Sequence, residues 1–115
     1  KLSAELGNAD VELVRKELGT EFDMIVHEPD GILEIGQAGH SKASGIERLC
    51  ESLGIAKEDT YAFGDSANDV EMLEFVAHGI AMGNGTDVAK NAAEFVTTDI
   101  HKDGIWNGLK HYGLI

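Results

Sequence analysis

Val11, Val14 and Leu18 recur at helical spacing on a segment that runs from Asn8 to Gly19, a residue suited to stopping a helix. The rhythm then shortens. FDMIVH (Phe22 to His27) alternates Phe22, Met24 and Val26, and ILEI (Ile32 to Ile35) follows EPDG, whose Pro29 and Gly31 suit a tight turn, so the two runs predict a hairpin. After the small-residue stretch IGQAGHSK, helical spacing returns. Ile46, Leu49, Cys50 and Leu53 share a face, Ser44 and Glu47 stand at capping-box spacing, and Gly54 ends the run. TYAF, NDVEMLEFV, GIAM, DVAKNAA and EFVT then predict strand, helix, strand, helix and strand, with Asp103 opening a last helix toward Tyr112.

Alternating short strands and helices are the pattern of a parallel sheet with helices packed on it, because parallel neighbours need a crossover between them. The predicted class is therefore α/β for the C-terminal two thirds. The beginning of the chain instead predicts a helix followed by antiparallel strands, which places an expected boundary near Gly36 to His40 and divides the chain into residues 1–38 and 39–115. No repeat or low-complexity tract is visible.

Composition narrows the class of partner. The chain has 115 residues, 43% of them hydrophobic, with a single proline, which fits one modest packed core. No apolar stretch approaches the ~20 residues that cross a bilayer. Nine basic residues against 21 acidic ones give a formal charge of -12, which repels nucleic acid and anionic membranes over most of the surface. A small phosphorylated molecule is still admissible, since a metal and a few cations reverse the sign locally. Cys50 is the only cysteine, so no intrachain disulfide forms and the cytoplasm is the expected compartment. The opening KLSAELGNADVEL has neither a basic leader nor a long apolar segment and, without an initial methionine, reads as a truncated start.

The chemistry concentrates in YAFGDSANDVEML (Tyr61 to Leu73), where Asp65 follows the predicted strand and its Gly64 turn, and Asp69 comes four residues later. In open parallel sheets the binding crevice lies at the carboxyl ends of the strands. Two carboxylates there repel each other unless a positive charge lies between them, and hard oxygen donors suit Mg2+, with the Ser66 hydroxyl and the Asn68 amide beside them. The competing reading is that Asp65 or Ser66 merely caps the following helix. A calcium loop is a second alternative that fits badly, with Val70 and Val76 at the positions that need Gly and Glu. Lys42, at the start of a predicted helix, either holds an anion with the backbone amides or is an ordinary solvated lysine.

Taken together, SKASGIERLCESLGI, YAFGDSANDVEML and GIAMGNGTDVAKNAAEFVT followed by KDGI resemble the haloacid dehalogenase superfamily, specifically the Cof-type sugar-phosphate phosphatases with a large cap domain. The resemblance runs from Ser41 to Ile105 in the family's order and spacing. It implies a HAD-like Rossmannoid core behind the closing part of an α+β cap, and hydrolysis of small phosphate monoesters such as sugar phosphates. It makes Lys42 the phosphate-holding lysine, Asp65 the Mg2+ ligand, and Asp69 the second acid, acting through the metal's water shell or by orienting its partners. Asn68 becomes the supporter of Lys42 and the phosphate, and Ser66 the neighbour of a metal-bound water. Ala43 stands where the family usually has Gly after the lysine.

The family's nucleophile, the first aspartate of a DxDxT motif, is not evident in this sequence, and covalent phosphoryl transfer needs it. EPDGI (Glu28 to Ile32) imitates it poorly, because Glu28 is too long, Ile32 lacks the hydroxyl and Lys42 follows too soon; a turn fits better. The expectation is therefore the second half of a catalytic core, with self-association or a missing N-terminal half completing it, and no activity of this chain alone. GNGTDV lacks the third glycine of a dinucleotide loop; the resemblance makes it a strand-to-helix turn with Asn84 and Asp87 near the rim of the site. The five histidines show no zinc spacing, although His40 lies close to Lys42 in sequence.

Overall fold

Leu33 is the most buried of the described residues in the N-terminal part, and its partners across the sheet explain why. The computed structural model describes residues 2–5, 7, 10–27 and 31–115. In it β1 (Leu2–Glu5), β3 (Ile32–Gln37) and β2 (Phe22–His27) form an antiparallel sheet in the order β1-β3-β2. The register sets Ala4 and Val26 on either side of Leu33, and Leu2 and Met24 on either side of Ile35, so these side chains share one face. The predicted hairpin strands are present, but the sheet has a third strand, β1, which the sequence pattern did not disclose. The EPDG turn lies outside the described residues. The predicted helix is observed as α1 (Val11–Leu18), capped by Asp10, whose carboxylate accepts from the Glu12 and Leu13 amides, with Val11, Val14 and Leu18 half-buried.

The chain divides into two compact units, Lys1–His40 and Ser41–Ile115. The second unit carries a three-stranded parallel sheet, β4 (Tyr61–Gly64), β5 (His78–Ala81) and β6 (Phe95–Val96), in the order β4-β5-β6. Helices α2 (Lys42–Leu53), α3 (Val70–Phe75), α4 (Asp87–Ala92) and α5 (Gly104–His111) complete it. This is the α/β core that the alternating pattern predicts.

The sheet's two faces are built differently. Ala62, Gly64, Gly79 and Ala81 line one face, and there α3 comes so close that a Cβ on Gly79 would lie 2.3 Å from the Leu73 carbonyl oxygen. Phe63 and Ile80 line the other, where a Cβ on Gly108 of α5 would lie 2.6 Å from the Phe63 ring. Small residues thus seat α3 against the strands, and large ones fill the space under α5. Ile80 is fully buried, and Leu73, Ala89 and Ala43 add buried side chains from α3, α4 and α2.

Two local readings change. Gly64 is the last residue of β4 rather than a turn. The cap of α2 is Ser41, which exchanges hydrogen bonds with Ser44, so Ser44 occupies the third helical position and Glu47 plays no part in the cap. Gly54 ends that helix in the left-handed conformation, as its position suggested.

Candidate active site

Asp65 emerges directly from the carboxyl end of β4 and is exposed. Its backbone is held at both ends. The amide donates to Asp69 Oδ2 at 3.0 Å, and the carbonyl accepts from the Thr86 amide at 2.8 Å, which ties this loop to the one after β5. A Cβ at Gly85 would stand 2.9 Å from the Asp65 carbonyl, so that approach requires a glycine. The Asp65 carboxylate itself has no hydrogen bond or ion pair among the described residues, and its backbone stands where the loops after β4 and β5 meet.

Asp69 is the opposite case, only 4% exposed. It ends a short 3₁₀ turn, Ala67–Asp69, and its carboxylate serves the loop with one oxygen and α2 with the other. Oδ2 accepts from the amides of Asp65 at 3.0 Å and Ser66 at 3.2 Å, while Oδ1 holds the Lys42 ammonium. A Cβ on Gly64 would lie 2.7 Å from the Asp69 Cβ, so the last strand residue must be small for the carboxylate to turn under the loop. Burial works against the charge on Asp69, but the Lys42 ammonium and the two amides outweigh it and hold its pKa below the ordinary carboxylate value.

Lys42 is the first residue of α2 and its side chain is 50% exposed, so the ammonium is anchored on one side and open to solvent on the other. It lies 27 residues from its partner in sequence. Ser66 donates its hydroxyl proton to Asn68 Oδ1, which commits the oxygen end of that amide and leaves N–H donors at its other end. The structure therefore joins Lys42, Asp65, Ser66, Asn68 and Asp69 in one constellation. Lys42 is held by Asp69 and not by Asn68, to which no hydrogen bond from Lys42 exists among the described residues. Of the two modes expected of Asp69, its observed bonds are of the orienting kind. The capping alternative also has a part in it, since Asp69 accepts from the Ser66 amide that opens the 3₁₀ turn.

On the rim, Asn84 Oδ1 accepts from the Ile100 amide at 2.9 Å and so links the loops after β5 and β6, while Asp87 is an exposed first residue of α4. His40 belongs to the first unit, where its Nδ1 meets the Ala38 carbonyl at 3.2 Å. Two contributors escaped the sequence reading. Ser41 Oγ donates to Glu71 Oε1 at 2.8 Å, joining the starts of α2 and α3. A serine directly before Lys42 with another three residues on was a legible cap signal; nothing in the sequence marked Glu71 as its partner.

As for a metal, no group of three or more His, Cys, Asp or Glu side chains converges among the described residues. An unengaged carboxylate beside hydroxyl and carbonyl oxygens is nonetheless the donor chemistry of Mg2+, which takes one or two carboxylates and fills its shell with water and phosphate. The Asp65 environment fits that ion.

Comparison with known proteins agrees with the α/β fold. The family model described as haloacid dehalogenase-like hydrolase matches residues 3–109. A Geobacillus stearothermophilus protein from the pdhA 5′ region is 55% identical over 78 residues, covering 68% of this chain and 82% of that protein. The 5-amino-6-(5-phospho-D-ribitylamino)uracil phosphatase YitU of Bacillus subtilis is 42% identical over 84 residues, 73% of this chain and 31% of that one. Among solved structures, the HAD subclass IIB sugar phosphatase BT4131 superposes with a TM-score of 0.76 at 35% identity, over 83% of this chain and 36% of that chain. The chain thus spans about a third of the length of the two phosphatases.

Proposed function

The chain belongs to the haloacid dehalogenase-like hydrolases, and from that membership we propose that its second unit forms the lysine-and-metal half of a site that hydrolyses small phosphate monoesters, sugar phosphates among them. One observation carries the reading: Asp69, almost fully buried, holds the Lys42 ammonium with one oxygen and the Asp65–Ser66 backbone with the other. A phosphate-sized anion meeting that corner finds a half-exposed cation, the N–H groups of Asn68 and a solvent-facing carboxylate suited to a metal.

Phosphoryl transfer spreads negative charge over the oxygens of the moving group, and catalysis consists largely of positioning it and stabilising that charge. Lys42 neutralises one side of the ester, and its bond to Asp69 keeps it from swinging into water. Asn68 donates from its amide end because Ser66 occupies its oxygen. Asp65 is the proposed direct ligand of Mg2+, with Ser66 and Asp69 toward its water shell; when bound, the ion supplies Lewis-acid charge stabilisation at the phosphate. The attacking carboxylate of a DxDxT motif comes, in this reading, from a polypeptide segment beyond these 115 residues. Two features support that: β4 is an outer strand of its sheet, and α2 exposes Leu49 and Leu53.

The test is hydrolysis of 4-nitrophenyl phosphate with Mg2+, by the chain alone and after mixing with a polypeptide carrying the nucleophile motif. We expect no turnover alone, and turnover in the mixture that Asp65→Ala or Lys42→Met abolishes. A chain that neither turns over in the mixture nor shows Asp65-dependent Mg2+ shifts in its NMR spectrum would refute the phosphatase reading. Mg2+ and phosphate binding without turnover in any arrangement would leave a non-catalytic metal and phosphate module instead.

A further inference from the structure

The ammonium of Lys42 rides on a long flexible stem, so the place where its charge rests depends on how firmly the start of α2 is fixed. That start has two attachments to the segment around α3. One is the Lys42–Asp69 ion pair. The other is the neighbouring Ser41, whose Oγ accepts the Ser44 amide at 3.2 Å and donates its proton to Glu71 Oε1 at 2.8 Å. Ser41 is itself locked, because its own amide donates to Ser44 Oγ at 3.0 Å and its carbonyl accepts from that hydroxyl at 3.1 Å.

The cap and the first residue of α2 therefore grip residues two apart on the other segment, Glu71 in the first turn of α3 and Asp69 at the end of the 3₁₀ turn. A single tether lets a helix start pivot about it, whereas two neighbouring tethers fix direction as well as distance. We propose that Glu71 is a positioning residue for the phosphate-holding lysine, acting through the Ser41 hydroxyl to set the helix start from which Lys42 reaches Asp69. This rests on the reading of Lys42 as the phosphate-site cation. Glu71 touches neither the ammonium nor the ester; it determines how completely the ammonium stays in place.

The test is the rate at which an N-hydroxysuccinimide ester acylates Lys42 in the full chain, measured by peptide mass spectrometry against Lys102 in the same sample. Glu71 is exposed, so its replacement leaves the core untouched. Glu71→Ala is expected to raise the Lys42 rate by about fivefold, the population shift that one hydrogen bond of ordinary net strength controls. Glu71→Gln, which still offers Oε1 to Ser41, stays at the wild-type rate, as does Glu74→Ala on the same helix. An unchanged Lys42 rate in Glu71→Ala, even with a lowered melting temperature, overturns the proposal, because a purely structural tie changes melting alone. Asp69→Asn separates the two levels. If it raises the rate while Glu71→Ala does not, only the positioning role falls; if neither does, the anchored-lysine reading beneath it falls as well.

Discussion

Asp69→Asn keeps the shape of a residue that is 4% exposed but exchanges one acceptor oxygen for an NH2 donor. If the remaining oxygen stays on the Asp65 and Ser66 amides, the new donor faces the Lys42 ammonium; if the group flips, it faces the two amides instead. The first arrangement costs less, since Lys42 is half-exposed and can turn to water. What is lost is then one charge-assisted hydrogen bond, discounted for the exposure of the lysine, about 1.5 kcal/mol. Lys42→Met removes the other partner and leaves a buried carboxylate satisfied only at Oδ2, by the Asp65 and Ser66 amides, a cost of about 1–3 kcal/mol. Because both changes break the same bond, the double variant should fall short of the sum by about 1 kcal/mol. Urea unfolding followed by the fluorescence of Trp106, the only tryptophan and a residue of α5, reports on the unit that contains the site. With a urea dependence on the order of 1 kcal/mol per molar for so small a unit, the Asp69→Asn midpoint should drop by roughly 1.5 M. A midpoint equal to wild type, or single effects that add without coupling, would refute the account of Asp69 as the anchor of Lys42.

Other outcomes follow from the same structure. Since the Asp69 pKa is held below its ordinary 3.8, the unfolded chain binds the extra proton first; its stabilisation is complete above that value and is lost as pH falls through the folded pKa. The urea-midpoint gap between wild type and Asp69→Asn should accordingly be constant at neutral pH and close in acid; a gap that widens in acid contradicts the sign. Gly79→Ala places a Cβ 2.3 Å from the Leu73 carbonyl and should unfold or strongly destabilise the second unit, whereas Gly45→Ala, inside α2 with nothing within 4 Å, should stabilise it by about 1 kcal/mol. Equal melting temperatures for the two variants would dismiss the close approach of α3. Sedimentation velocity should show concentration-dependent association through the outer edge of β4 and the apolar surface around α2; a monomer at high concentration that binds no hydrophobic dye counts against it.

How much was legible in advance depended on the range of the interaction. The strands β4 and β5 and the position of Asp65 at a strand tip follow from runs of neighbouring residues, and they appear within one residue of where the pattern put them. β1 did not, because LSAE is too short to carry a distinctive period and exists as a strand only by pairing with β3. The cap of α2 was misplaced by three residues for a similar reason. Several serines offered themselves, and the choice of Ser41 is confirmed only by its bonds to Ser44 and to Glu71, 30 residues on.

The sequence by itself determined which chemistry this chain carries: an acidic loop after an apolar strand, a lysine opening a helix, and a family signature across both. Local spacing suffices for that, because helix and strand periods and strand-tip addresses are properties of contiguous residues. Tertiary structure alone decided what each acid does, placing Asp65 toward solvent and turning Asp69 inward onto Lys42. The reason is physical: a side chain's protonation and partners depend on what packing brings alongside it. Here the close seating of α3 on Gly64 and Gly79 positions the Asp69 carboxylate, and residues 27 apart meet only once the sheet has formed.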